Sequence, residues 1–499
     1  MGSLKRFSYD LDTRRRTASC NAEVRQIGQS PPSSTVLEES ETRHHTIAFA
    51  QEAFARIRET LLAEAPLEAA RFLLAHAVRT PKNKWRLLPY TALAPTASEY
   101  LDRTSASIQL SPAFVGRALQ QGRAEGSAII MAHSHPFHGL TGPSSVDTGG
   151  EALLVPVIQQ RIPSVAHGRL IIGPQSTHSA LFLPHEPPLP AEIVEVGSSI
   201  VQWPEFAEPK EGAAGVSAQY DRQVRAFGSH GQRQLGALRI AIVGLGGTGS
   251  VVAQQLAHLG VTDFVLIDPD ALETTNLNRV VGASPNQVGM AKVLVAEEMI
   301  RRINPTAKTE ALREDIRDSS TVRRLLDVDF FFCCTDSQGS RAVLNQFAYQ
   351  YLVPGIDLGV VIDARDGRVS HVSARVQMLA PGLACLVCGE ILDSEEVRRD
   401  LLSDQARKRD PYILGTAIPQ PSVISINSLA ASNAVTMFLG AVVGMPVPSR
   451  HQRLRLQVGT TADVHVDQNP ACYVCGPLGA VGRGDTWSVP GRVLPEFAN

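Results

Sequence analysis

The sequence predicts an α/β protein with at least two folded domains, on three observations. The chain has 499 residues, 43% of them hydrophobic and 19% charged, too long for one ordinary domain and apolar enough to bury sizeable cores. From about Gly215 onward, apolar β-branched strands alternate with helical patterns, as in a parallel, doubly wound sheet. Before that point, short apolar strands, one helical pattern and a His-rich loop make a separate region, and prolines recur between the two from Pro184 to Pro209.

Taken in order, residues 1–45 are polar, with a Pro-Pro-Ser-Ser patch at Pro31 to Ser34, and are expected to be a disordered or loosely packed tail. The basic run Arg14, Arg15 and Arg16 belongs to that solvated stretch. Residues 46–190 form the first domain, with a helix expected over Ile47 to Ala63 and strands over Ser127 to Ala132 and Arg169 to Gly173. Residues 191–217 read as linker, and 218–499 as the second domain. No internal repeat is evident.

Charge and hydropathy narrow the partners. The formal net charge is −2, so neither a nucleic-acid nor a polybasic membrane partner is expected. The most extended apolar run, Leu429 to Met445, carries Ser432 and Asn433 and falls short of the roughly 18 residues a bilayer span needs. The start has no apolar signal-peptide core, and Met1-Gly2 is followed by Arg6 where a myristoylation motif wants Ser or Thr. A cytoplasmic location is expected. There the seven cysteines (Cys20, Cys333, Cys334 and two CxxC pairs) favour metal over disulfides.

A nucleotide site is legible from Arg239. The strand Arg239-Ile-Ala-Ile-Val243 runs into Gly244-Leu-Gly246-Gly247-Thr-Gly249, a helical pattern follows from Ser250 to Leu259, and a second strand, Phe264 to Asp268, ends in an acid. Glycines let backbone approach a phosphate, the helix N-terminus attracts its charge, and the acid suits a ribose hydroxyl. This Rossmann-like signature alone would equally suit NAD. The segment Asn276-Leu-Asn-Arg279 and then Lys292 shift the balance: an arginine fork and a lysine point charge suit a nucleoside triphosphate.

Together with the entry Tyr220-Asp-Arg222-Gln223, the run Thr335-Asp336-Ser-Gln-Gly-Ser-Arg341 and two CxxC pairs, these residues resemble the ubiquitin-activating enzymes and their bacterial ThiF/MoeB-type relatives, adenylyltransferases of sulfur-carrier proteins. The resemblance covers roughly residues 218 to 480. It implies that Asp268 binds ribose, that Asn276, Arg279 and Lys292 hold the triphosphate, and that Asp336 holds Mg2+. It implies a homodimer in which Arg222 reaches the partner subunit's ATP. The implied reaction joins the C-terminal Gly carboxylate of a β-grasp protein to AMP, by placement and charge neutralisation rather than through a protein nucleophile.

The pairs Cys385-Leu-Val-Cys388 and Cys472-Tyr-Val-Cys475 are near-copies. Four thiolates suit one tetrahedral zinc with no position left for water, a structural site. The resembled enzymes that form thioesters carry a cysteine after the first pair, whereas Glu390 to Arg450 contains none, which puts a covalent intermediate in doubt. Cys333 and Cys334 lie in an apolar strand and read as inert packing. Thr416 and Ser422 are the hydroxyls that could form an ester there.

In the first domain, His133-Ser-His135-Pro136 follows the strand Ala128 to Met131, and Ser144 and Asp147 come after a loop. Two His at i and i+2 and an Asp make three ligands, which with one water form a catalytic zinc set. This resembles the JAMM/MPN (JAB) metalloproteases, with an α/β, cytidine-deaminase-like fold. The resemblance implies that His133, His135 and Asp147 bind zinc, Ser144 steadies the oxyanion, and an upstream glutamate is the base: Glu68, with Glu64 second. The loop from Pro136 to Pro143 is one residue longer than the family's usual spacing, which could displace Asp147 and makes His138 an alternative ligand.

One object would serve both chemistries: a ubiquitin-like protein whose tail is trimmed, or freed from conjugates, and then activated with ATP, Mg2+ and two zinc ions. The resemblance also implies a bacterial setting, a ubiquitin-conjugating-like partner enzyme and antiphage defence. Two alternatives stand: activation of a sulfur-carrier protein for cofactor or natural-product synthesis, and a non-catalytic scaffold that binds a ubiquitin-like protein.

Overall fold

The computed structural model describes residues 45–137, 139, 141–203, 217–402 and 420–492. The tail expected over 1–45 lies outside them save for residue 45, as do His138 and Thr416.

The first domain runs β1 (His45–Ala50), α1 (Gln51–Leu62), β2 (Ala70–Arg79), β3 (Trp85–Leu93), β4 (Tyr100–Arg103), β5 (Ile108–Leu110), α2 (Pro112–Glu125), β6 (Ala128–Ser134), α3 (Ser145–Arg161), β7 (His167–Ile172), β8 (Thr177–Phe182), β9 (Leu189–Val196) and β10 (Ile200–Trp203). Its sheet is ordered β1-β3-β2-β6-β7-β8-β9-β10, and a further parallel pairing of β1 with β9 closes it on itself. Side chains alternate between its faces. Leu73, Ile130, Leu170 and Ile193 pack inward with Phe54 and Leu61 of α1. Phe72, Leu74, Ile129 and Met131 pack outward against Phe114 of α2 and Ile158 of α3.

Two expectations are corrected here. The helix expected over Ile47 to Ala63 is strand β1 followed by a helix from Gln51. Ile47, Ala48 and Phe49 are all buried, and a strand buried on both faces has no period-2 signature to tell it from a helix. Residues 191–203, expected in the linker, complete β9 and form β10. Pro190 misleads because it stands near the start of β9, where a strand tolerates proline.

The second domain opens with α4 (Asp221–Ala237), kinked where Phe227 and Gly228 leave helical geometry. It continues β11 (Arg239–Val243), α5 (Gly249–Leu259), β12 (Asp263–Ile267), α6 (Lys292–Ile303), β13 (Lys308–Leu312), α7 (Ser319–Arg323), β14 (Phe330–Cys333), α8 (Gln338–Gln350), β15 (Gly355–Arg365), β16 (Arg368–Leu379), α9 (Ser394–Leu401), α10 (Ile424–Val442), β17 (His451–Arg455) and β18 (Thr460–Asp463). The sheet order is β13-β12-β11-β14-β15-β16-β17-β18, parallel through β15 and antiparallel beyond. The chain steps outward from β11 to β13, then returns to β14 on the other side of β11. The topological switch point, where such sheets bind ligands, therefore lies between β11 and β14. The helix α10 has 19 residues and is by length and composition apolar enough to cross a membrane, so the run begins earlier than Leu429. It packs against α5, β15 and β16 as a core helix.

One core joins the domains. Ala48, Val78, Leu88, Val194, Val196 and Ile200 of the first sheet belong to the same buried cluster as Ile240, Phe264 and Phe330 of the second. Arg86, fully buried, donates to the carbonyls of Tyr351 (2.8 Å) and Leu352 (2.6 Å) at the C-terminal end of α8. A cation there answers the orphan carbonyls and the helix dipole. Arg323 donates to the Arg79 carbonyl, and the Lys82 amide to Asp327.

Candidate functional site

The glycine loop closes β11. Gly244 sits at φ 87°, and a Cβ there would lie 2.9 Å from the Cys334 carbonyl carbon and oxygen. At Gly249 an added Cβ would fall 1.8 Å from the Gly244 oxygen, so both positions require glycine. Gly246 has open space on its Cβ side, and a side chain at Gly247 would meet the Asn427 amide and approach Arg279. The loop leads directly into α5, whose N-terminal amides suit an anion.

Around it stand most of the expected residues. Asp268, at the end of β12, accepts from the Leu245 amide at 2.6 Å and the Asp270 amide at 2.9 Å. Burial raises its pKa against the pull of Lys292. Lys292 begins α6 with its Nζ 2.7 Å from Asp270 Oδ2 and 4.0 Å from Asp268 Oδ1. Arg279 donates to the Thr275 carbonyl at 2.6 Å and to Asn278. Asn276 is buried, and its Oδ1 accepts from the Glu273 amide, so it shapes its own turn. Asp336 is exposed just after β14, on the strand end that Gly244 abuts. Arg222 is not brought to this loop: its neighbours Tyr220 and Gln223 touch Gly260 and the His258 carbonyl at the far end of α5, some 16 Å of helix away.

Sequence reasoning missed what holds the Asp336 segment. Arg341 donates twice to the Thr335 carbonyl, at 3.2 and 3.1 Å, and faces the buried Asp357, which also binds Arg375. Asp357 and Arg375 lie far along the chain with no motif to mark them. Asp400 of α9 accepts from Ser337 Oγ (2.7 Å) and the Gly339 amide (3.0 Å) at the start of α8. Asn427, beside Gly247, was also missed; it donates to Ser422 Oγ at 2.9 Å. Burial pushes both the Cys333 and Cys334 thiols up, which leaves them poor nucleophiles.

The four CxxC sulfurs converge. Cys385 Sγ lies 3.6 Å from Cys472 and 3.9 Å from Cys388, and Cys388 lies 3.4 Å from Cys475. Four sulfurs at zinc-bond length in a tetrahedron stand about 3.8 Å apart, so the set fits one closed zinc site. The hydrogen bond with Cys475 draws the Cys385 thiol below its usual range.

The first domain brings together a second set. His133 Nε2 lies 3.2 Å from His135 Nε2 and 3.2 Å from Asp147 Oδ1, and His135 Nε2 lies 3.4 Å from Asp147 Oδ2. Three donors at that spacing match a tetrahedral ion with its fourth position open. Burial works to raise the Asp147 pKa, but bonds to both imidazoles hold it well below the usual range. At the described end of the loop the Ser176 hydroxyl meets Thr141 and donates to the Gly139 carbonyl. Ser144 caps α3, its Oγ accepting from the Asp147 amide at 3.1 Å. Glu68 is buried with Oε1 3.7 Å from His135 Nε2, and burial raises its pKa. Its backbone is clamped by the Thr104 carbonyl and Arg103. Glu64 pairs with Arg103 at 2.7 Å and Arg71 at 3.4 Å, so the geometry places Glu68, not Glu64, at the set.

Comparison with known proteins bears on the second domain. The ThiF family matches residues 220–474. The Escherichia coli (strain K12) molybdopterin-synthase adenylyltransferase is 28% identical over 259 residues, covering 52% of this chain and 95% of that protein. Ubiquitin-like modifier-activating enzyme 5 of Oryza sativa subsp. japonica is 34% identical over 163 residues, 30% of this chain and only 37% of the plant protein. A crystal structure of E. coli MccB aligns with 55% of this chain and 75% of its own at 22% identity, with a TM-score of 0.42, too loose a likeness to carry an argument.

Proposed function

Since the chain belongs to the ThiF family, we propose that its second domain binds ATP in the glycine-loop crevice and adenylates the C-terminal carboxylate of a ubiquitin-like or sulfur-carrier protein. The observation that carries this reading is the gathering of Arg279, Lys292 and Asp268 around a glycine loop whose floor is the strand end bearing Asp336. In the proposed reaction a carboxylate oxygen attacks the α-phosphorus, the bond to the bridging oxygen breaks, and pyrophosphate leaves. Placement and charge do the catalysis. Arg279 and Lys292 would neutralise the leaving pyrophosphate, Lys292 turning from Asp270 to do so. Asp336 would hold Mg2+, which would supply positive charge against the phosphates. A zinc ion on the four cysteines would pin the C-terminal segment to the region after β16.

For the first domain we propose a zinc hydrolase of the JAMM type acting on the same small protein or its conjugates. His133, His135 and Asp147 would hold zinc, which supplies a water acidified toward neutral pH. Glu68, 3.7 Å from His135 Nε2, would take that water's proton. Ser144 Oγ accepts from the Asp147 amide and keeps its own proton to donate to a developing oxyanion.

ATP–pyrophosphate exchange tests the adenylation reading, with purified full-length chain and a panel of β-grasp proteins ending in Gly-Gly. Exchange is expected with at least one of them and is expected to fall by about a hundredfold or more in Asp336→Ala, the scale of losing one charge-stabilising group. A chain that holds NAD and supports no exchange with any of them sinks the reading.

A further inference from the structure

The candidate metal set of the first domain is backed by an ion pair that is no part of it. Glu151 lies one helical turn beyond Asp147 on α3, so the two carboxylates share a face of that helix. Glu151 Oε2 lies 2.7 Å from Arg169 Nη1, with the two side chains only 12% and 8% exposed. Arg169 is on β7, where it pairs with Met131, two residues before the pairing of Ile171 with His133. The bond therefore ties α3 to the strand beside the one that carries His133, one turn behind the point where Asp147 meets the imidazoles.

Stability alone does not explain such a pair. Desolvating two charges offsets most of their attraction, and apolar residues of like volume in their place are often neutral or stabilising. The Arg169 Nε is buried without a partner, so the desolvation of this arginine is only partly compensated. What the pair does specify is the rotation and height of α3 on the sheet, and with them the reach of Asp147. We propose that Glu151 and Arg169 are a positioning pair that sets the zinc affinity of the His133–His135–Asp147 set. This rests on the reading of that set as a zinc site.

The test is zinc affinity itself, measured on the full chain by competition between Zn2+ and a chromophoric chelator. The four-cysteine site serves as an internal control. In wild type, one ion is expected to be labile and lost in His133→Ala; if no such ion exists, the underlying zinc reading fails and not merely this proposal. Given that ion, the double variant Glu151→Leu/Arg169→Leu is expected to keep its melting temperature but to bind the labile zinc about 10–100-fold more weakly, the usual size of outer-shell effects. Arg169→Lys, which keeps a charge able to reach Glu151, is expected to recover part of the loss. If the double variant fails to fold, Glu151→Gln gives the same reading with its shape kept. Wild-type zinc affinity in a folded double variant, or in Glu151→Gln, overturns the proposal.

Discussion

Gly249 shows how little freedom single positions of the glycine loop retain. A methyl group there would overlap the Gly244 carbonyl, so the loop must open to accept it, and opening moves the amides that would face phosphate. Gly249→Ala is expected to cost about 2 kcal/mol of stability, within the range of overpacking, and to weaken ATP binding at least tenfold by titration calorimetry. Unchanged affinity would mean that the loop does not touch phosphate. The two glutamates make a complementary case. They lie four residues apart, and the sequence favours Glu68 with Glu64 second; in the fold Glu68 is buried against His135 while Glu64 answers two arginines. Which one faces the metal set depends on the β4–β5 hairpin, whose Thr104 and Arg103 grip the Glu68 backbone, and no local pattern encodes that grip.

At the scale of elements, the antiparallel extension β15–β18 carries a polar interior unusual for a core. Asp357, Gln377 and His451 stand opposite one another across three strands. Burial first, then the neighbouring Arg375 and Arg453, depress the His451 pKa to about 4, while Asp463 and Asp357 pull weakly the other way. The folded state keeps this ring neutral. The unfolded chain therefore binds one more proton between pH 6.5 and about 4, and stability falls as pH drops through that window. The slope for one proton is at most about 1.4 kcal/mol per pH unit. His451→Gln is expected to flatten denaturant-derived stability across that window relative to wild type, with His76, His167 and His178, also depressed by burial, supplying the remaining acid sensitivity. An identical slope in the variant would show that His451 is solvated.

Across the whole molecule, the two domains share one core. In the first domain the contacts to the second include Val78, Arg79 and Arg86 at one end of β2 and β3, and also Ala48, Val194, Val196, Ile200 and the Ser198 carbonyl, which accepts from Arg450. In the second domain these contacts include Asp327, Tyr351, Leu352 and Arg450. The shared core predicts one cooperative calorimetric transition for the described body rather than two. Arg86→Met, which removes the cation from the end of α8 and leaves buried carbonyls unmet, is expected to destabilise by about 3 kcal/mol and to split or broaden that transition. Two well-separated transitions in wild type would contradict a continuous core.

Glycine spacing, strand-ending acids, paired CxxC units and the HxH step all mark chemistry that depends on local backbone geometry, and such features can be read along the chain. By itself the sequence thus determined the doubly wound second domain, the glycine loop from Gly244 to Gly249 and the two clusters of residue types that could hold a metal. Tertiary structure alone decided that β1 is a strand, because burial on both faces erases periodicity, and that residues 191–203 close the first sheet, because pairing with β1 is a long-range choice. It also decided that Asp357, Arg375, Asn427 and Asp400 support the crevice and that Glu151 and Arg169 stand behind Asp147. Those residues act through neighbours distant in the chain, and packing in three dimensions, not spacing in one, brings them together.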